Sequence, residues 1–257
     1  MCVMAQAGGA PAAAAQPAKK TPSWKSKAEL EALQALAAAA NDPDKAIAAA
    51  EALITKFADT DYKAFALFVE ATAYQQKGDT DHMVIFAERT LDADPSDFRA
   101  ALMLGNYYAT HTKETDLDKE EKLVKAEKYA NQGLELLKTA SNPNPGQVTD
   151  AQWMGLKKDS EADGYNTIGL ANLTRKKYDP AAAAFKSASD SASQPEPTYM
   201  VRAASMLQSG GKNDEAIVWC DKALAVPNVH PQVKAMATQI RAAAVRAGGK
   251  APGGEAK

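Results

Sequence analysis

Cysteine, histidine and aromatic residues are all scarce in this chain: two Cys, three His and an aromatic share of 7% over 257 residues. Cys2 and Cys220 cannot build a disulfide framework. Cys220, inside AIVWCDKAL, reads as a small core residue. His82, His111 and His230 fall in or beside turns of different segments, with no His-x3-His or Cys-x2-Cys spacing, so no metal set is expected. There is no run of about 18 apolar residues, which leaves no membrane-spanning helix. A Gly-x-Ser-x-Gly elbow is missing too. Gly210-Gly211-Lys212 is a helix-ending turn without the upstream strand a phosphate loop needs. Paired acids such as Glu120-Glu121 stand in charged runs, with no apolar flanks to perturb them. No catalytic residue and no cofactor are therefore expected. Net charge is −2, with 30 basic and 32 acidic residues interspersed, so nothing favours nucleic acid or an anionic membrane as a partner.

What the chain does have is alanine at helical spacing. Leu30, Leu33 and Leu36-Ala37 form one apolar stripe, and Ala46, Ala50 and Leu53 form a second at i, i+4, i+7. Asn41-Asp42-Pro43-Asp44 is the turn between them and supplies N-capping side chains. A second hairpin runs from Ala64 to Pro95, with Gly78 as the left-handed cap of its first helix and Asp79 or Asp81 starting the second. The third opens at Phe98 and carries Leu104-Gly105 and Tyr108. A charged stretch within KETDLDKEEKLV then adds about nine residues before Ala126, Ala130, Gly133 and Leu134 resume the pattern. That stretch reads as a solvated face or edge loop. After the breaker cluster TASNPNPG, Thr149-Asp150 caps a long helix reaching about Thr174, expected to pack against the lengthened hairpin before it. A fifth hairpin spans Thr198 to Pro227. A last amphipathic helix, Pro231 to about Ala247, would turn Val233, Met236, Ile240 and Ala244 inward as a cap on the final apolar face.

The most regular stretch is Ala162 to Pro195. Tyr165, Ile168-Gly169, Tyr178, Ala181, Phe185 and Ala188 fall at fixed steps, with Gly169 and the alanines allowing close helix approach and Tyr165, Ile168 and Phe185 filling the gap. Those steps resemble the tetratricopeptide repeat, an aromatic, Leu-Gly, Tyr, Ala, Phe and a closing Pro over about 34 residues. Tyr74, Gly78-Asp79, Ala87 and Asp94-Pro95 repeat parts of it, as do Gly210-Gly211, Ala216, Cys220 and Ala223-Leu224. The resemblance implies an all-α fold, an α-solenoid of about five hairpins with a C-terminal capping helix, over residues 27–247.

It also implies a non-catalytic scaffold that holds a protein or peptide partner in a groove lined by the first helix of each hairpin. Carried over by position, the groove residues are Phe65, Phe68, Thr72, Gln75 and Gln76, then Arg99, Leu102, Asn106 and Thr110. Asp163, Asn166, Leu170 and Thr174 follow, and then Val201, Ser205 and Gln208. Phe65 and Phe68 are either an aromatic anchor or a cover for the preceding hairpin. Asn106 matches an asparagine of the family's carboxylate clamp, but Leu102 replaces the clamp lysine and Thr167 the next asparagine, so an extended or helical peptide fits better. An envelope-assembly accessory and a regulatory subunit of a separately encoded enzyme are the alternative roles.

The ends differ in composition. Residues 1–26 are Ala/Pro-rich and aperiodic. Ala5-Gln6-Ala7 before Gly8 resembles a signal-peptidase site without the basic and apolar regions that precede one. Two readings stay open: the remnant of a signal peptide plus spacer, which implies a periplasmic or secreted protein, or a plain disordered tail on a cytoplasmic one. Residues 248–257, GGKAPGGEAK after Ala247, read as a disordered tail.

Overall fold

A computed structural model describes residues 22–250; the expectations placed on residues 1–21 and 251–257 lie outside them. Among the described residues there are eleven helices and no strand. They are α1 (Lys27–Ala38), α2 (Pro43–Lys56), α3 (Lys63–Lys77), α4 (Thr80–Ala93), α5 (Phe98–His111) and α6 (Lys119–Thr139). Then follow α7 (Asp150–Thr174), α8 (Tyr178–Ser191), α9 (Pro197–Ser209), α10 (Asn213–Ala225) and α11 (Pro231–Arg246). Each helix packs on its neighbours in the chain, giving five stacked hairpins and one terminal helix, an α-solenoid. Further contacts join α5 to α7 and α9 to α11, whereas no comparable contact joins two even-numbered helices. These contacts, with the side-chain bridges from α3 to α5 and from α7 to α9, set α3, α5, α7, α9 and α11 along one face, the inner layer.

Local chemistry sets the boundaries. Asp42 caps α2 by accepting from the Lys45 N–H, with Pro43 in the first turn. Gly78 sits at φ +72° and ends α3, and Asp79 starts α4 by accepting from the His82 N–H. Thr149 and Gln152 form a full capping box at the start of α7. This cap makes a 25-residue helix with a sharp beginning out of a segment whose inner face is unevenly apolar.

The core is built from alanine and glycine against a few large side chains. Phe185 is fully buried, and its ring lies so close to Gly169 that a Cβ there would be 2.5 Å from Cε1. Gly105 meets the α6 backbone at Ala126 and Ala130 in the same way. Cys220, Ala216 and Ala223 are each 0% exposed, and burial pushes the Cys220 thiol up to about 11. Three details differ from the sequence reading. Leu170, Leu173 and Tyr178 pack around Phe185, while Tyr165 and Ile168 stay half-buried at the edge. On α11, Ala237 takes the inward place and Met236 points out, 52% exposed, because Ala237 and Ala244 fall on one face two turns apart. Residues 22–26 are held rather than loose: Ser26 caps α1, the Lys25 N–H donates to Glu29, and the Tyr62 hydroxyl donates to the Pro22 carbonyl.

The charged insertion is used within the fold. Its first part is a loop and the rest lengthens α6, which packs against α7 as expected. The guanidinium of Arg175, at the end of α7, is 6% exposed and bonds Glu120 at 2.7 Å and Glu127 at 2.8 Å on α6. Asn172 donates to the same Glu127, and Lys176 pairs with Glu114 in the loop. A run that reads as solvated surface is in part the anchor of α7.

Candidate binding face

The inner layer divides into two chemically different parts. On α3, Phe65 is 40% exposed, and Phe68, one turn on, is half-buried beneath the guanidinium of Arg99, 4.2 Å from its ring centroid. Arg99 is fixed by Asp97, which caps α5 through the Arg99 and Ala100 N–H groups. The guanidinium then returns two bonds to the same carboxylate, Nε to Oδ1 at 3.1 Å and Nη2 to Oδ2 at 2.5 Å. One buried aspartate thus sets both the start of α5 and the pose of its arginine. The pair holds the guanidinium as a flat cationic plate stacked on an aromatic ring. Gln75 and Gln76 extend the exposed surface toward the end of α3, and Asn106 is half-buried on α5. None of these three amide side chains has a hydrogen-bond partner among the described residues.

Leu102 is half-buried and works inward. A Cβ on Gly133 would lie 2.6 Å from its Cδ2, and one on Gly164 would lie 3.2 Å away. The two glycines form a seat for this leucine, which ties α5 to α6 and α7.

Between α7 and α9 the inner layer is closed by its own side chains. The Tyr199 hydroxyl donates to Asp163 Oδ1 at 2.9 Å, and the Arg202 guanidinium donates to the side-chain oxygen of Asn166. Both contacts join residues 36 positions apart. Asn166 is only 7% exposed as a result. Burial, with the Asp163 charge added, drives the Tyr199 phenol well above its ordinary range. Asp163 itself keeps an exposed edge; partial desolvation beside Tyr199 raises its carboxyl, against the lowering effect of the Tyr199 bond. Gln208 is half-buried near the end of α9. Val201 is a correction: it is 3% exposed and packs with Ala223 and Ala237, because α11 covers the face of α9 that the repeat resemblance leaves open.

Tyr199 and Arg202 are the residues that positional carry-over passes by. Their signal was available: they stand three apart on α9, as Asp163 and Asn166 do on α7. Two surface hollows lie away from this face. One of about 250 Å³ is bounded by Ser189, Met200, Trp219 and Lys222, and an open trough of about 810 Å³ runs along α11. Among the described residues no three His, Cys, Asp or Glu side chains gather as a metal site, and no helix is long and apolar enough to cross a membrane. Comparison with models of protein families and with curated proteins yields no match.

Proposed function

We propose that the chain is a non-catalytic scaffold of the tetratricopeptide type, which holds a peptide or a partner's helix against α3 and α5. The observation that carries this reading is the contrast within the inner layer. The polar groups of α7 and α9 satisfy each other, while Phe65, the Phe68–Arg99 stack and the amides of Gln75, Gln76 and Asn106 are left to an external ligand. Exposed aromatic surface beside amides that no protein group engages suits an extended or helical peptide, with apolar side chains for the rings and backbone groups for the amides. Arg99 is already paired twice with Asp97, which speaks against a carboxylate clamp.

The test is selection of binders from a displayed random-peptide library on the full chain. Affinities are then measured for wild type, Phe65→Ala/Phe68→Ala and Tyr199→Phe, with helicity followed by circular dichroism. Selected peptides should lose at least about tenfold in affinity with the double variant and little with Tyr199→Phe. Peptides whose binding ignores Phe65 and Phe68 while both variants stay folded would overturn the assignment.

A further inference from the structure

The buried part of the seam between the first two hairpins is lined by alanine and leucine, with the Lys77–Asp44 ion pair at its exposed edge. Ala66 of α3 packs with Leu36, Ala50 and Leu53, and Ala73 packs with Ala39 and Ala46. Between these two alanines on the same face lies Glu70, 1% exposed, and its Oε2 has no hydrogen-bond partner among the described residues. By contrast, Glu29, a buried carboxylate on α1, takes the Thr60 hydroxyl and the Lys25 N–H, both at 2.6 Å. Of the elements packed on α3, α2 presents Glu51 and α4 presents Arg89 to Glu70, with Tyr74 one turn further along α3 itself. Glu51 repels a second negative charge. Arg89 lies over the Phe86 ring, 4.8 Å from its centroid, and makes no ion pair with Glu70. An ionised carboxylate at this place is shut off from bulk solvent and has no bonded protein partner for Oε2 among the described residues, so its stable buried form is the neutral acid.

We propose that Glu70 is a proton-controlled latch, whose neutral form keeps the α1–α2 hairpin closed on α3 and whose ionised form releases that seam. The released proton goes to solvent and the carboxylate becomes hydrated as the seam parts. Position makes this workable. In a solenoid each hairpin is held mainly by its neighbours, and among the described residues the α1–α2 hairpin meets the next one chiefly through α2 on α3, so loosening that interface frees it. The latch does not depend on any ligand and stands apart from the proposed binding role.

The sign follows from burial. Glu70 is raised from the ordinary 4.5 to about 7, mainly by desolvation, with Glu51 adding and Arg89 opposing. Below about 4.5 the open and closed forms are equally protonated and opening is insensitive to pH. Between about 4.5 and 7 the open form binds fewer protons, so the opening equilibrium rises by up to about tenfold per pH unit, and it levels off above that window.

Hydrogen exchange on the full chain, corrected for intrinsic amide rates, tests this at pH 5, 6, 7 and 8. Amides of α1 and α2 should lose protection by roughly 40-fold from pH 5 to 7, while those of α8 to α10 stay level. Glu70→Gln should abolish the difference. Glu51→Lys, an exposed change that leaves Glu70 in place, should move the window to lower pH. Should Glu70→Gln fail to fold, Glu51→Lys decides alone. A pH trend shared by wild type and Glu70→Gln, a window unmoved by Glu51→Lys, or a loss spread evenly over all helices would overturn the latch.

Discussion

The α3–α5 and α7–α9 parts of the inner layer occupy equivalent places in the solenoid and differ in how far their side chains engage one another. At α7–α9, Asp163 meets Tyr199 and Asn166 meets Arg202, two rungs between successive first helices. At α3–α5 one contact of this kind exists, Phe68 with Arg99, while Phe65, one turn earlier, is left exposed. Whether an inner-layer side chain is available to a ligand is therefore decided by the residue facing it from the next hairpin. Asp163 and Asn166 have such partners. Phe65, Gln75 and Gln76 do not. Equivalent repeat positions can thus be mortar in one hairpin and free surface in another.

The largest expected effect belongs to the closed part. Phe185→Ala removes a fully buried ring beneath α9 and should cost about 4 kcal/mol, read from urea unfolding. Gly169→Ala alone should also destabilise, since its new Cβ meets the ring at 2.5 Å. In the Phe185→Ala background the same methyl enters the vacated space. The two losses should therefore fall short of additivity, and a double-mutant cycle with additive losses would show that the ring and the glycine are not in contact.

Next comes the polar closure itself. Arg202→Ala should cost about 2 kcal/mol, because it leaves the 7% exposed Asn166 without its donor and uncovers one face of Phe185, 5.9 Å from the guanidinium. Tyr199→Phe keeps the ring and drops one bond to a carboxylate, for about 1 kcal/mol. Losses near zero for both, in thermal or urea unfolding, would mean that the α7–α9 face is as open as α3–α5, and the contrast between them would fail.

The hairpin architecture was legible because its signals are short-range. Asp42-Pro43, Gly78-Asp79 and Thr149 with Gln152 mark helix ends through contacts within three or four residues, and Gly169 with Phe185 reflects packing inside one hairpin. The binding face was only half legible. Arg99 and Phe68 were both singled out, yet their stacking and the role of Asp97 were not, since these depend on how two hairpins are set against each other. Val201 was misplaced for the same reason: its burial depends on α11, about thirty residues later. Nothing in the sequence singles out Glu70; its burial follows only once Ala66 and Ala73 put its turn of α3 against α2. Arg175 shows the reverse, a basic residue at a helix end that becomes buried by pairing with Glu120 and Glu127.

The smallest expected effect is the sharpest test of the comparison. Phe65 is 40% exposed and belongs to none of the buried clusters among the described residues, so Phe65→Ala should change stability by no more than about 0.5 kcal/mol. Phe68→Ala should cost somewhat more, about 1 kcal/mol, because Arg99 loses the ring it lies on while keeping its two bonds to Asp97. Both losses stay well below the several kcal/mol that truncating a core phenylalanine costs. If Phe65→Ala instead destabilises by 2 kcal/mol or more, the ring is covering the first hairpin. The free surface on α3 would then shrink to its two glutamines, and the asymmetry between the two halves of the inner layer would lose its aromatic side.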